Sequence, residues 1–340
     1  MKSITLGKTG ITTPQNAFGA LPIQRVSEDY AVMLLRKAYD NGMTYFDTAR
    51  SYTDSEVKVG KAFAGMRDKV FIATKTQART PEAFRKDLDT SLNNLQTDYI
   101  DVYQLHCVPQ CFAPGDGTGM YECLLEAKKQ GKIRHIGITA HKIGVAEDIV
   151  RSGLYETLQF PFSYLATDRD IALVRACREA DMGFIAMKGL SGGLLNNSKA
   201  CMAFMLQYDA LPIWGVQRES ELDEWLSFFN EEPEMTEELQ KIIDADRASL
   251  LGDFCRGCGY CSPCTVDIII NQCARMSQMV RRAPSGEWLN EHWQIEMNKI
   301  DDCVECGACM SRCPYELDIP NLLKKNLADY RSILAGETKI

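Results

Sequence analysis

The sequence predicts a closed (β/α)8 barrel, the TIM-barrel form of the α/β class, followed by a mainly helical, cysteine-rich domain. Three observations carry this reading. Eight short apolar runs alternate with amphipathic helical patterns over the first two thirds of the chain. The competing open, doubly wound sheet calls for a G-x-G-x-x-G turn after its first strand, and the corresponding stretch, AFGALPIQ, holds one glycine. Nine of the 14 cysteines lie after residue 250, which sets the last third apart.

The strands are expected at 16–22, 43–48, 70–75, 99–105, 133–139, 156–161, 183–187 and 210–214. The helices are expected at 28–41, 54–65, 81–95, 119–130, 143–151, 168–181, 198–207 and 218–229. The stretch SEDYAVMLLRKAYDNG shows the logic: Ser27 can cap the helix start, apolar residues recur at helical spacing, and Gly42 can end it. The barrel is assigned to 1–235. An acidic and then helical linker follows at 236–253, and the cysteine-rich domain takes 254–340.

A composition of 45% apolar and 25% charged residues is globular. The net charge of −8 argues against nucleic acid, whose phosphates need a basic surface. No apolar run reaches the length of a membrane span, and MKSITLGKTG lacks the apolar core of a signal peptide. The expectation is a soluble, cytoplasmic protein with no membrane partner.

In a barrel of this kind chemistry sits at the carboxyl ends of the strands. Asp47 ends the second strand and Tyr52 follows in its loop. Lys75 closes the third strand in VFIATK, and His106 closes the fourth in YIDVYQLH. Each alone could be structural; four ionisable residues at successive strand ends are a specific signal.

In FDTARSY, IATK, DVYQLH and the GIT after the fifth strand, residues 3–230 resemble the aldo-keto reductase family. The resemblance implies a catalytic tetrad of Asp47, Tyr52, Lys75 and His106. Its chemistry is hydride transfer between NADPH or NADH and a small carbonyl or alcohol substrate. An alkoxide developing from the carbonyl needs a proton donor. Free tyrosine titrates near ~10, and a lysine ammonium beside it favours the phenolate and lowers that value. Asp47 would hold the lysine, and His106 would orient the carbonyl.

The resemblance also implies the cofactor contacts. Gly19, Ala20 and Asp47 would line the pocket at the first two strand ends. The carboxamide would meet Thr139 and Gln159. Ala140 stands where the family has an asparagine, and Met187 where an aromatic ring usually stacks. Lys188, Gly189, Leu190 and Gly192, in KGLSGG, supply the pyrophosphate loop. At the adenosine end Gln217 stands where a phosphate-pairing arginine is common, followed by Arg218 and by acids including Glu221. That surround suits a free ribose hydroxyl, whereas family habit favours NADPH.

CVECGACMSRCP places Cys303, Cys306, Cys309 and Cys313 in the C-x2-C-x2-C-x3-C-P run of bacterial ferredoxins. CRGCGYCSPC gives Cys255, Cys258, Cys261 and Cys264, with the last spacing one residue shorter. C-x2-C pairs also bind zinc, but triplets at this spacing fit iron–sulfur chemistry better, and two 4Fe-4S clusters are expected. In the ferredoxin pattern the fourth cysteine ligates the other cluster, so Cys313 would complete the first and Cys264 the second. This part resembles the ferredoxin-type tail of a bacterial subgroup of aldo-keto reductases. Helix-like segments between the motifs make it mainly helical, with Cys273 in its core. Cys107 and Cys111 fall where a substrate loop is expected.

The reading is a carbonyl reductase or alcohol dehydrogenase that carries iron–sulfur clusters, with an electron-transfer partner among its expected partners. Two alternatives stay open. One is an iron–sulfur electron-transfer or redox-sensing protein whose barrel binds nicotinamide without fast turnover. The other is an isomerase or lyase on the same scaffold.

Overall fold

A computed structural model describes residues 1–250, 254–282 and 285–339. The chain forms two compact units. One comprises Met1–Gly189 with Ser198–Leu239, and the other Leu190–Asn197 with Gln240–Ile340.

In the first unit β1 (Ser3–Thr5) and β2 (Thr12–Pro14) form an antiparallel hairpin. The next eight strands are β3 (Ala17–Gly19), β4 (Tyr45–Asp47), β5 (Phe71–Thr76), β6 (Ile100–Leu105), β7 (Ile133–Thr139), β8 (Thr157–Pro161), β9 (Gly183–Met187) and β10 (Leu211–Gly215). They are parallel and close into a barrel in the order β10-β3-β4-β5-β6-β7-β8-β9. All eight expected strands are present. The hairpin was not expected from the sequence: its strands are three residues long and mostly polar. Its Ile4, together with Leu6 and Ile11 of the turn, packs onto Tyr45, Ala73, Val102, Ile185 and Leu211 of the barrel. These lie early in their strands, so the hairpin seals the end of the barrel opposite the carboxyl ends of the strands.

The eight helices are α1 (Glu28–Asp40), α2 (Ser55–Ala62), α3 (Pro81–Leu95), α4 (Met120–Lys129), α5 (Ile143–Ser152), α6 (Asp168–Glu179), α7 (Ser198–Met205) and α8 (Glu219–Asn230). Their starts are written in side chains. Ser27 accepts from the Tyr30 amide, Thr80 caps α3 ahead of Pro81, and Thr167 with Asp170 forms a capping box on α6. Gly60 of α2 lies against the end of α3, where a Cβ would come within 2.4 Å of the Asn94 carbonyl oxygen.

α9 (Glu237–Leu250) is the helix expected after the barrel; residues 251–253, the end of that expected linker, lie outside the described residues. Beyond it lie α10 (Ile270–Cys273), α11 (Met276–Arg282), α12 (Ser285–Trp288), α13 (Glu291–Asn298), α14 (Ala308–Arg312) and α15 (Ile319–Leu334). The module is helical as expected, but each of the two long periodic stretches breaks into shorter helices. α15, the longest, was not foreseen, although Asp318 caps it by accepting from the Asn321 amide and Pro320 opens it. Its apolar face packs Leu323, Leu327 and Tyr330 against Ile270, Cys273, Met276 and Met297. Buried Asn326 locks α15 to α11: it accepts from the Ser277 amide at 2.9 Å and donates to the Ala274 carbonyl at 3.2 Å. No helix among the described residues is long and apolar enough to cross a membrane.

Candidate active site and cluster-binding module

Asp47 is the last residue of β4, Lys75 lies near the end of β5, and His106 follows β6 directly. All three are buried, and Lys75 is only 1% exposed. The Lys75 ammonium donates to Asp47 Oδ1 at 2.6 Å and to the Thr48 carbonyl at 2.7 Å. Tyr52 is half-buried in the loop after β4. Lys75 Nζ lies 5.2 Å from the centre of its ring, and the ring meets His106 edge-on with centroids 5.9 Å apart. The four residues expected to act together are adjacent.

Burial disfavours the Asp47 carboxylate and pushes its pKa up, against the pull of Lys75, Gln159 and Gln104. Burial also pulls Lys75 down, but Asp47 and Tyr52 outweigh it and the ammonium is held above its usual range. An ammonium 2.6 Å from a carboxyl oxygen is satisfied as an ion pair, so the pair is charged. For Tyr52 the balance differs from the sequence expectation. Burial raises the phenol first, Lys75 lowers it second, and the net direction is upward. The phenol is therefore a proton carrier that stays protonated at neutral pH. His106 is pushed down to about 3 by burial, with Lys75 and Arg79 adding to the effect, so its ring is neutral.

Two polar residues that sequence reasoning passed over complete the floor. Gln104 of β6 donates to Gln159 Oε1 at 2.9 Å and reaches Asp47 Oδ2 at 3.4 Å. It fits because Gly137, opposite it on β7, leaves space: a Cβ there would stand 2.7 Å from Gln104 Cγ. Arg79 donates to the carbonyls of His106 and Cys107 at 2.7 and 3.1 Å and so holds the turn after β6. Cys107 adopts φ +56 and lies close enough to Tyr52 and Lys75 to act on both electrostatically. Cys111 is half-buried further along that loop. A glutamine inside a fully buried strand was the available signal for Gln104.

The expected cofactor residues form three groups. The first lines the strand ends. Gly19 and Ala20 are buried, and the Ala20 amide donates to the Asp47 carbonyl at 2.8 Å. Thr139 Oγ1 accepts from the Cys107 amide at 2.7 Å, which leaves its hydroxyl proton to donate. Gln159 faces Gln104 and Asp47, and Met187 is half-buried at the end of β9. The second is the loop after β9. Lys188, at φ +60, lies near enough to His141 to depress it, with burial the larger cause. A Cβ on Gly189 would strike the Trp214 ring at 2.4 Å. Leu190 and Gly192 belong to the second unit. The third opens α8. Glu221 accepts from the Gln217 and Arg218 amides at 2.8 and 3.0 Å and from Arg218 Nε at 2.9 Å, so the arginine is already paired.

In the second unit Cys255, Cys261 and Cys313 are buried and Cys258 is half-buried. Burial raises the Cys255 thiol, and Cys258 and Cys313 raise it further by repulsion. Cys261 is pushed up to about 12, by burial first and then by Cys255 and Cys258. These electrostatic contacts place Cys258 and Cys313 near Cys255, and Cys255 and Cys258 near Cys261. Cys264, Cys303, Cys306 and Cys309 line a solvent-open pocket, which Cys261 also borders. Cys313 acts on Cys255, and Cys264 shares the lining of Cys303, Cys306 and Cys309, which is the neighbourhood an exchange of fourth cysteines calls for. The donor sets and the pocket fit 4Fe-4S clusters. Cys306 is exposed and its thiol is lowered, chiefly by the Ala308 amide and then by the Thr265 hydroxyl. Among the described residues no group of three or more His, Cys, Asp or Glu is gathered tightly enough for a single metal ion. Cys273 is fully buried in the core beside them.

Residues 4–203 match the model of the aldo/keto reductase family. The chain belongs to that family. Residues 254–318 match a 4Fe-4S dicluster domain. Aldo-keto reductase YhdN of Bacillus subtilis (strain 168) is 29% identical over 214 residues, covering 57% of this chain and 64% of the relative. An NADH-specific methylglyoxal reductase of Escherichia coli (strain K12) is 27% identical over 230 residues, covering 58% and 70%. An aldo-keto reductase from Klebsiella pneumoniae in complex with NADPH superposes with a TM-score of 0.61 at 22% identity, over 72% of this chain and 94% of that one. The alignment to YhdN spans under two thirds of that relative's length. In this chain the family match at 4–203 is followed by the dicluster-domain match at 254–318.

Proposed function

We propose that the barrel, residues 1–235, interconverts a small carbonyl compound and its alcohol, and that 254–340, joined by the helical linker 236–253, hold two 4Fe-4S clusters. The observation that carries the reading is the buried Lys75–Asp47 pair set against the Tyr52 phenol and a neutral His106. A bound NADPH or NADH would supply or accept the hydride at Thr139, Gln159 and Met187. Tyr52 gives its proton to the forming alkoxide, and in the reverse direction removes it from the alcohol. Lys75 stabilises the phenolate left behind, and Asp47 keeps Lys75 charged and in place. His106, unable to carry a positive charge here, orients the carbonyl oxygen by a neutral hydrogen bond. Cys255, Cys258, Cys261 and Cys313 would hold one cluster, and Cys264, Cys303, Cys306 and Cys309 the other. Such clusters pass single electrons, and exposed Cys306 suits exchange with an electron-transfer partner.

The direct test is anaerobic steady-state oxidation of NADPH and NADH against a panel of aldehydes and ketones. Turnover that depends on the carbonyl supports the reading. Nicotinamide binding without turnover would favour an electron-transfer or redox-sensing role instead.

Two further outcomes are expected. Anaerobically purified protein should contain about eight irons and eight acid-labile sulfides, as two clusters require, with absorbance that bleaches on reduction. Stoichiometric zinc in their place would overturn the cluster assignment. At the adenosine end, Arg218 is engaged with Glu221 and Gln217 carries no charge, so NADH should compete well. Gln217→Arg should move the kcat/KM ratio toward NADPH by roughly tenfold, the weight of one charge-assisted hydrogen bond. A wild-type protein that strongly prefers NADPH and does not respond to the substitution would show that another group reads the 2′-phosphate.

A further inference from the structure

Arg275 is a buried cation, 6% exposed, in the turn between α10 and α11. It makes three hydrogen bonds: Nη1 to the Gly192 carbonyl at 2.9 Å, and Nε and Nη2 to Gln272 Oε1 at 3.3 and 3.0 Å. Among the described residues no carboxylate pairs with it. Two glycines admit it. Gly192 has φ +71 and a Cβ there would lie 2.6 Å from Nη1; Gly257 has φ +65 and a Cβ there would lie 2.8 Å away. Gly257 belongs to the first cysteine loop, and its amide donates to Cys255 Sγ at 3.4 Å. Arg275 and Cys255 also act on each other electrostatically. A buried guanidinium is costly unless an anion compensates it, and Cys255 lies within its electrostatic reach. The anionic group beside it is the first set of thiolates.

We infer that Arg275 is the countercharge of the first cluster and ties that cluster to the Leu190–Asn197 loop, so that order in this loop, and with it nicotinamide affinity, depends on the cluster. The last step rests on the proposed role of Lys188–Gly192 at the cofactor pyrophosphate. The loop leaves the barrel at Lys188, whose charge bears on His141, and four residues later its backbone carbonyl is held by Arg275. Arg282 adds a second hold by donating to the Leu194 carbonyl at 3.2 Å. A loop ordered before binding spares the ligand the cost of ordering it. By linkage, whatever the cluster does to nicotinamide affinity, nicotinamide does in return to the cluster's potential.

The test uses the cluster-loaded full chain under anaerobic conditions, with iron content matched. In Arg275→Met, amide hydrogen exchange over 190–197 should quicken by about tenfold, as expected when a charged hydrogen bond holding a loop is lost. NADPH and NADH should each bind about tenfold more weakly, read by fluorescence titration without turnover. One of the two waves in an EPR-monitored dithionite titration should move to more negative potential, since a nearby cation has gone. Gly192→Ala touches no cysteine and guards against failed cluster assembly in the arginine variant. It should quicken exchange over 190–197 and also move that same wave, because its Cβ displaces Nη1. Unchanged exchange in Arg275→Met, or an unmoved wave in Gly192→Ala, would overturn the tie. Faster exchange with unaltered nicotinamide affinity would overturn the coupling to the cofactor. If the wild-type protein binds no nicotinamide, the proposed function itself fails, while exchange and potential still report on the tie.

Discussion

Tyr52→Phe is expected to lower both kcat and kcat/KM for carbonyl reduction by about 10²–10⁴-fold, the usual weight of general acid assistance. The substitution removes one oxygen and keeps the ring, so the edge-on packing against His106 survives. The turn survives too, because it is fixed by the Tyr52 amide donating to the Ala49 carbonyl at 3.0 Å. Lys75 keeps its bonds to Asp47 and Thr48 and is not left unsatisfied. The expected cofactor contacts come from other positions, so nicotinamide affinity should stay nearly intact. What disappears is a proton delivered only as the alkoxide forms, an interaction of the transition state. The measurement is steady-state kinetics beside equilibrium nicotinamide binding, with cluster content equal in both proteins. If the variant kept more than about a tenth of the wild-type rate, far milder than loss of a general acid, Tyr52 would not be the proton donor.

The barrel was legible because its signals are local and repeated. Eight strands and eight helices announce themselves through periodicity and through caps such as Ser27, Thr80 and Thr167. That Asp47, Tyr52, Lys75 and His106 lie together was legible because a lysine and a histidine closing mostly apolar strands stand at one end of the barrel. The hairpin over residues 3–14 was not, because three-residue strands carry no period; only the packing of Ile4, Leu6 and Ile11 under the barrel reveals it. The α15 helix had its signals, Asp318 and Pro320, but they lie close behind a cysteine motif that drew the reading elsewhere.

The balance at Tyr52 was hidden for a different reason. Sequence shows that a lysine stands near a phenol, but not how far both are removed from water. Burial is the largest influence on the phenol, and it opposes the lysine. Gln104 and Arg79 were hidden because their roles depend on which neighbour faces them across the barrel: Gly137 and Gln159 for the first, the His106 and Cys107 carbonyls for the second. Arg275 likewise gains its meaning only when residues 83 positions apart in the chain are brought together.

Lys75→Met is expected to be as severe as Tyr52→Phe in rate, and to differ from it in pH dependence and stability. Methionine fills much of the same volume without the charge. In alcohol oxidation Tyr52 must give up its proton before it can act as a base, so activity rises with pH through the phenol's pKa. That pKa is already raised by burial and held back by Lys75. Removing the cation removes the charge that lowers it, so the rising limb should move to higher pH. In carbonyl reduction the phenol must be protonated, so no gain at neutral pH follows, and the rate falls because the phenolate formed in the step has lost its stabilising neighbour. Stability should fall as well. Asp47 would be a buried carboxylate without its cation, and breaking a buried pair on one side costs about 3–5 kcal/mol. Protonation can relieve that charge, so the loss should shrink as pH falls toward the raised carboxyl pKa. The double variant Asp47→Asn/Lys75→Met separates the two effects: removing both charges should recover most of the stability and none of the activity. The readouts are pH–rate profiles for alcohol oxidation and thermal unfolding of the three cluster-loaded proteins. A rising limb that stays put in Lys75→Met would show that Lys75 does not act on the phenol, and recovery of activity in the double variant would show that its role is only to neutralise Asp47.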